Sequence, residues 1–146
     1  PPRPPPPPLA LRPPEPPPIG GLTTGGAPRG QAFVEHYYQS FDAPGGRNNM
    51  GALYSEQSTM TWEGAPFRGA AEIGQKLASL PFTQCQHQIS TCDCQASGVP
   101  GGIIVFVTGM LLLEGQEHPL KFAQVFHLVQ NPQGGFFVLN DIFRLN

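Results

Sequence analysis

A tryptophan and a carboxylate stand side by side at Trp62-Glu63, and Trp62 is the only tryptophan in the chain. An aromatic ring set in apolar surroundings, with charge at the rim, is the chemistry of partner recognition: burial gives affinity and charge gives selectivity. The plain alternative is a tryptophan of the core. A second acidic cluster, Glu114-Gly-Gln-Glu117-His118, falls between two predicted strands. It suits contact with a basic partner or, more simply, a solvated loop. Asp141 and Arg144 fall in the last predicted strand. Strict alternation puts Asp141 on one face with Phe137, Leu139 and Phe143, where a carboxylate needs a partner. It could serve an enzyme as a cavity acid. With no second carboxylate or tyrosine placed beside it by a motif, a structural acceptor is the favoured role.

Cys85, Cys92 and Cys94 lie within one predicted strand. Three cysteines so placed argue against a disulfide framework and for a reducing compartment. Alternation sets Cys85 and His87 on one face and Cys92 and Cys94 on the other. Each face then offers two ligands at most, the spacing is not Cys-x-x-Cys, and no second cluster follows, so a metal site is not expected. His36 and His127 read as packing groups. The chain has no phosphate-cradling glycine loop and no Gly-x-Ser-x-Gly, and no cofactor is implied.

The elements that must carry these residues are legible in the periodicity. Phe33, Val34, Tyr37, Tyr38 and Phe41 form a broad apolar stripe that predicts a helix over 31–41. Pro28 and Gly30 discourage an earlier start. A short helix from about Asn49 presents Met50, Leu53 and Tyr54. Thr59 to Glu63 reads as a strand, and Ala65-Pro66 as a turn. Ile73, Leu77 and Leu80 predict a third helix over 70–80, stopped by Pro81. Strands are predicted at 84–95, 103–113, 120–130 and 136–145, the last two joined by the hairpin loop Asn-Pro-Gln-Gly-Gly. The strand 103–113 is apolar on both faces, with Ile103, Val105, Val107 and Leu111 on one and Ile104, Phe106, Met110 and Leu112 on the other. A solvated antiparallel strand would show a polar face, so the second face needs cover, such as a second copy of the chain would give. Helices followed by a long meander give an α+β fold.

The chain has 146 residues and a formal charge of −2, and 12 of its 19 prolines fall within residues 1–18. That stretch is expected to be extended polyproline II, followed by a glycine-rich linker, so that 1–29 forms a disordered tail and 30–146 one folded domain. Pro4 to Pro8 followed by Leu9 suits an aromatic groove, but a passive spacer is the favoured role. From Gly30 onward five Lys and Arg stand against nine Asp and Glu, a net of −4. A weakly acidic domain argues against nucleic acid, which needs a basic patch, and fits a basic protein partner. No apolar run reaches membrane-spanning length, and no signal-peptide core is present.

Six segments occur in one register from Phe33 to Asn146: His-Tyr-Tyr at 36–38, Gly-Ala-Leu-Tyr at 51–54, Met-Thr-Trp-Glu-Gly at 60–64, Leu-Pro-Phe at 80–82, Gln-Val-Phe-His-Leu at 124–128 and Asn-Asp-Ile-Phe-Arg-Leu at 140–145. Together they make the chain resemble the nuclear transport factor 2 family. The resemblance implies a cone of three N-terminal helices packed into a strongly curved antiparallel sheet, with an apolar cavity and a homodimer formed by the sheets. It implies a carrier, not an enzyme, that takes the GTPase Ran in its GDP form through nuclear pores from cytoplasm to nucleus. In that family an aromatic of Ran enters the cavity and its basic residues meet rim acids. The matching positions here are Trp62, Leu80, Cys85 and Phe143 in the cavity, His87 nearby, and Glu63, Glu114 and Glu117 on the rim. Carriers of the family also bind Phe-rich nucleoporin repeats, helped by an aromatic in the first turn of helix one. The matching stretch, Gly25-Gly26-Ala27-Pro28, has no aromatic and is not expected to be helical. Two other classes share the fold: an isomerase or dehydratase using a cavity acid, and a scaffold or RNA-export partner recruited through the proline tail.

Overall fold

The computed structural model describes residues 26–146. Helix α1 spans Gly26–Asp42 and buries Gly30, Val34, Tyr37, Tyr38 and Phe41, the one stripe its sequence offers. It starts earlier than the sequence suggested. Pro28 is its third residue, in the first turn, where a backbone N–H has no intrahelical acceptor to lose. Gly26-Ala27-Pro28 is therefore helical after all, though still without an aromatic. A 3-10 helix, Gly46–Leu53, buries Met50. Helix α2, Ala70–Ala78, buries Ile73 and Leu77. It stops two residues short of Leu80, which is itself buried in the following loop. The 3-10 helix and α2 meet backbone to backbone at Gly51 and Gly74: a Cβ on Gly51 would stand 3.4 Å from the Gly74 Cα.

Six strands follow the order β2-β1-β6-β5-β4-β3. They are β1 (Tyr54–Trp62), β2 (Ala65–Arg68), β3 (Cys85–Ala96), β4 (Ile103–Leu113), β5 (Leu120–Gln130) and β6 (Phe136–Leu145). The architecture is the expected one, helices packed against a curved, unclosed sheet in an α+β fold, but the sheet is mixed: β1 and β6 run parallel. Ala65-Pro66 is not a turn. It opens the short edge strand β2, where Pro66 opposite Thr61 sits on the border of the sheet, as a strand proline must. The turn is instead Glu63-Gly64, and Glu63 takes a left-handed φ of 51°.

Two of the sheet's three register shifts decide which candidate site residues face inward. One lies in β3 between Ile89 and Thr91, the other opposite the His127–Leu128 step of β5, at Leu139 of β6. Each extra residue reverses the alternation beyond it and bends the strand. Cys85 and His87 pair with Leu113 and Leu111, and Cys92 and Cys94 with Val107 and Val105, so all four lie on the inner, helix-covered face. The expected split between two faces is wrong for this reason. Likewise Asp141 shares the inner face with Val138 and Phe143, not with Phe137 and Leu139.

Candidate functional site

The register gathers one end of the sheet. Trp62 ends β1 beside Phe143 of β6, Cys85 opens β3 opposite Leu113 at the end of β4, and Phe122 near the start of β5 pairs with Leu145. The rings stack there. Trp62 lies on Phe143 at 4.0 Å between centroids and 10° between planes, and nearly parallel to Phe41 of α1 at 6.3 Å. Phe122 stacks beyond Phe143 at 5.7 Å. The Trp62 side chain belongs to this cluster yet keeps 8 % of its surface open. Leu80, in the loop after α2, is buried in the same hydrophobic core, and Phe82 is partly buried against that core. An apolar, polarizable floor of this kind favours another aromatic or aliphatic side chain.

Arg47 lies along the side of this floor. Its guanidinium stands over the Phe82 ring at 4.7 Å and the Phe41 ring at 5.8 Å, and Nη2 donates to the Phe82 carbonyl. Its Nη1 is buried without an acceptor, and among the described residues no other buried side-chain nitrogen or oxygen lacks a partner. Sequence reasoning passed over Arg47, because a lone arginine in a glycine-rich turn carries no motif.

The acids stand at the same end. Glu63 is exposed in the β1–β2 turn. Its backbone N–H donates to the Phe143 carbonyl at 3.1 Å, and its carboxylate accepts from the Leu145 N–H. Glu114 is exposed just past β4 and accepts from the Thr83 hydroxyl at 3.1 Å. It borders an open cleft of about 290 Å³ shared with Gln84, Cys85, Gln86, Leu112 and Leu113. Glu117 is exposed farther along the same loop.

His87 and Cys85 turn toward the end of α1. The Asp42 carboxylate is 2.7 Å from His87 Nδ1, accepts from the His87 backbone N–H at 2.8 Å, and accepts from the Cys85 thiol at 3.3 Å. The imidazole is 2 % exposed, packed by Tyr38, Phe41 and Phe122 with centroids 4.5, 4.9 and 5.2 Å away. Burial, then the hydrogen bond to and charge of Asp42, push the Cys85 thiol up to about 12, which leaves it a poor nucleophile.

Asp141 lies deeper, between the sheet and α1. One carboxylate oxygen accepts from Tyr54 at 2.6 Å and the other from Gln124 at 2.8 Å. Tyr38 donates to Gln124 at 2.7 Å, and the Tyr37 hydroxyl is 3.0 Å from that of Tyr54. Burial raises the Asp141 carboxyl from 3.8 to about 6 against these hydrogen bonds, which pull it down. Both oxygens are engaged by neutral donors and the residue is 1 % exposed, so the acid is a structural acceptor with no free edge for a substrate. The tyrosines were missed because they arrive from α1 and β1, outside any local pattern.

A family model for the nuclear transport factor 2 (NTF2) domain matches residues 29–145. Nuclear transport factor 2B of Arabidopsis thaliana is 56 % identical over 116 residues, covering 80 % of this chain and 90 % of that protein. Nuclear transport factor 2 of Schizosaccharomyces pombe is 48 % identical over 114 residues, covering 78 % and 90 %. Among solved structures, that of nuclear transport factor 2 from Cryptosporidium parvum matches with a TM-score of 0.76 and 46 % identity over 82 % of this chain and 93 % of that one. A scytalone dehydratase-like protein of Novosphingobium aromaticivorans matches with a TM-score of 0.66 at 13 % identity, over 80 % of each chain, a likeness of fold alone.

Proposed function

The chain belongs to the nuclear transport factor 2 family, a family named for carriage between cytoplasm and nucleus rather than for bond chemistry, and from that premise we propose that its cargo is Ran in its GDP form. The observation that carries the reading is the stacked pair Trp62–Phe143, with two exposed acids, Glu63 and Glu114, at the same end of the sheet. An aromatic side chain of the cargo docks on Trp62 and Leu80, with Phe143 stacked beneath Trp62 as its support. Its basic residues meet Glu63, Glu114 and Glu117, and Cys85 and His87 support the wall. Phe-rich nucleoporin repeats are the second partner, met without the first-turn aromatic. The carrier works as a homodimer joined through the outer sheet face and passes between cytoplasm and nucleus through the pore.

Titration calorimetry against Ran loaded with GDP tests the site. Glu63→Lys replaces attraction by repulsion and removes binding, since losing one partner of a desolvated charge pair costs about 2–5 kcal/mol, enough to abolish a micromolar complex. Unchanged affinity in a folded Glu63→Lys dimer would falsify the assignment. Asp141→Asn, damaging in an enzyme that uses this acid, leaves cargo binding intact.

A further inference from the structure

Among the described residues, one group of histidine, cysteine and carboxylate side chains converges: the ligating atoms of Asp42, Cys85 and His87 all lie within 4.8 Å of one another. We propose that these three residues form a binding site for a divalent transition-metal ion of the zinc class, with its fourth position open. The sequence argued against a metal because β3 offers two ligands on a face. The third arrives from the end of α1, 43 residues away along the chain.

The donor set selects the ion. A thiolate, an imidazole and a carboxylate suit zinc or cobalt and do not suit magnesium or calcium, which take oxygen. Two of the three donor spacings are close to what such an ion needs, and the third lies within 4.8 Å. Zinc–oxygen and zinc–nitrogen bonds of about 2.0–2.2 Å and zinc–sulfur bonds of about 2.3 Å, at tetrahedral angles, put neighbouring donors roughly 3.4–3.6 Å apart. Here His87 Nδ1 is 2.7 Å and Cys85 Sγ 3.3 Å from the same Asp42 oxygen. Opening the first contact by well under an ångström makes room.

The surroundings hold the donors in place. The His87 backbone N–H fixes the far oxygen of Asp42 at 2.8 Å, and three rings pin the imidazole. Such outer contacts normally orient ligands. Asp42 is also the last residue of α1, where the helix dipole is negative and an added cation is stabilised. Arg47 opposes this, since its charge reaches Cys85, but its guanidinium is anchored on the Phe82 carbonyl. Asp42 and Cys85 are partly exposed, so the open position faces solvent or a docked partner.

Protons bridge these groups as they stand. On binding, the Cys85 thiol releases its proton to solvent, and the imidazole carries its proton on Nε2 so that Nδ1 donates its lone pair. The thiol must give up its proton to become a ligand, so binding releases protons.

The test is Co²⁺ titration of the reduced full chain followed by absorption. The site predicts a thiolate-to-cobalt charge-transfer band and strong four-coordinate d–d bands that saturate at one equivalent. In Cys85→Ser the charge-transfer band disappears and affinity falls by on the order of tenfold or more. The double variant Cys92→Ser/Cys94→Ser keeps both features. If Cys85→Ser does not fold, Asp42→Asn takes its place and shows the same fall in affinity. The proposal is overturned by no charge-transfer band at about millimolar Co²⁺, or by a band that survives Cys85→Ser and vanishes in the double variant. Cobalt absorption does not involve the cargo, so this result and the calorimetry with Ran fail independently.

Discussion

Asp141 is the residue whose environment makes the clearest demand. Its folded titration near 6 lies above the ordinary 3.8, so the folded state holds the proton more tightly than the unfolded chain does. The stabilisation this gives is fully present below about pH 3.8 and is lost as pH rises through about 6. Asp141→Asn removes the dependence. Urea unfolding at several pH values should therefore show wild type losing stability relative to the variant from about pH 4 to 7, by up to roughly 3 kcal/mol. Parallel curves would mean that the carboxyl does not titrate in that window. At this same scale part of the geometry proposed for the site was readable in advance. Trp62 and Phe143 lie together at one end of the sheet because the strand ends that carry them are in register, and the turn after β1 sets Glu63 beside them. Arg47, Asp42 and the three tyrosines around Asp141 were not readable, because each contact joins elements distant in the sequence.

The elements themselves followed from periodicity, and the errors cluster where one residue changes the phase. No composition signal marks the extra residues near Ser90 and at Leu139, since a bulge depends on what the neighbouring strand must accommodate. One consequence of the β3 shift is the close seat of α1. A Cβ on Gly30 would stand 2.7 Å from Cys94 Sγ and 3.2 Å from a Val105 methyl. Gly30→Ala should destabilise by about 1–3 kcal/mol through overpacking, and Cys94→Ala in the same chain should recover part of that, both read from thermal unfolding. If Cys94 faced away, as plain alternation implies, the second change would rescue nothing. Deletion makes a second test. Because α1 begins at Gly26, removing residues 1–25 should leave cooperative unfolding intact, whereas removing 1–29 also takes the first turn and the Arg29 guanidinium stacked 4.3 Å from the Phe136 ring. The longer deletion should lower the melting temperature more than the shorter one.

Among the described residues, the helices cover one sheet face and leave the other bare. Phe106, Val125 and Ile142 form a continuous row across β4, β5 and β6 on the bare face. Phe106 is 42 % and Ile142 51 % exposed, with Ile104, Met110 and Leu112 beside them. An apolar patch of this kind on a small domain is expected to pair with its own copy. Sedimentation at micromolar concentration should give a dimer, and Phe106→Glu with Ile142→Glu should give a folded monomer. A native monomer in the unmodified chain would remove the dimer from the proposed carrier.

The stack of Trp62 on Phe143 has a use beyond affinity. The chain's single indole sits where the cargo is expected to dock, and Phe41 stands between it and His87, with centroids 6.3 and 4.9 Å away respectively. Excited to the red of the three tyrosines, its fluorescence is therefore a signal from one site in each chain. Burial should blue-shift the emission, docking of an aromatic side chain should change its yield, and a paramagnetic ion at Asp42, Cys85 and His87 should quench it. Each event can be timed in unlabelled protein by stopped flow.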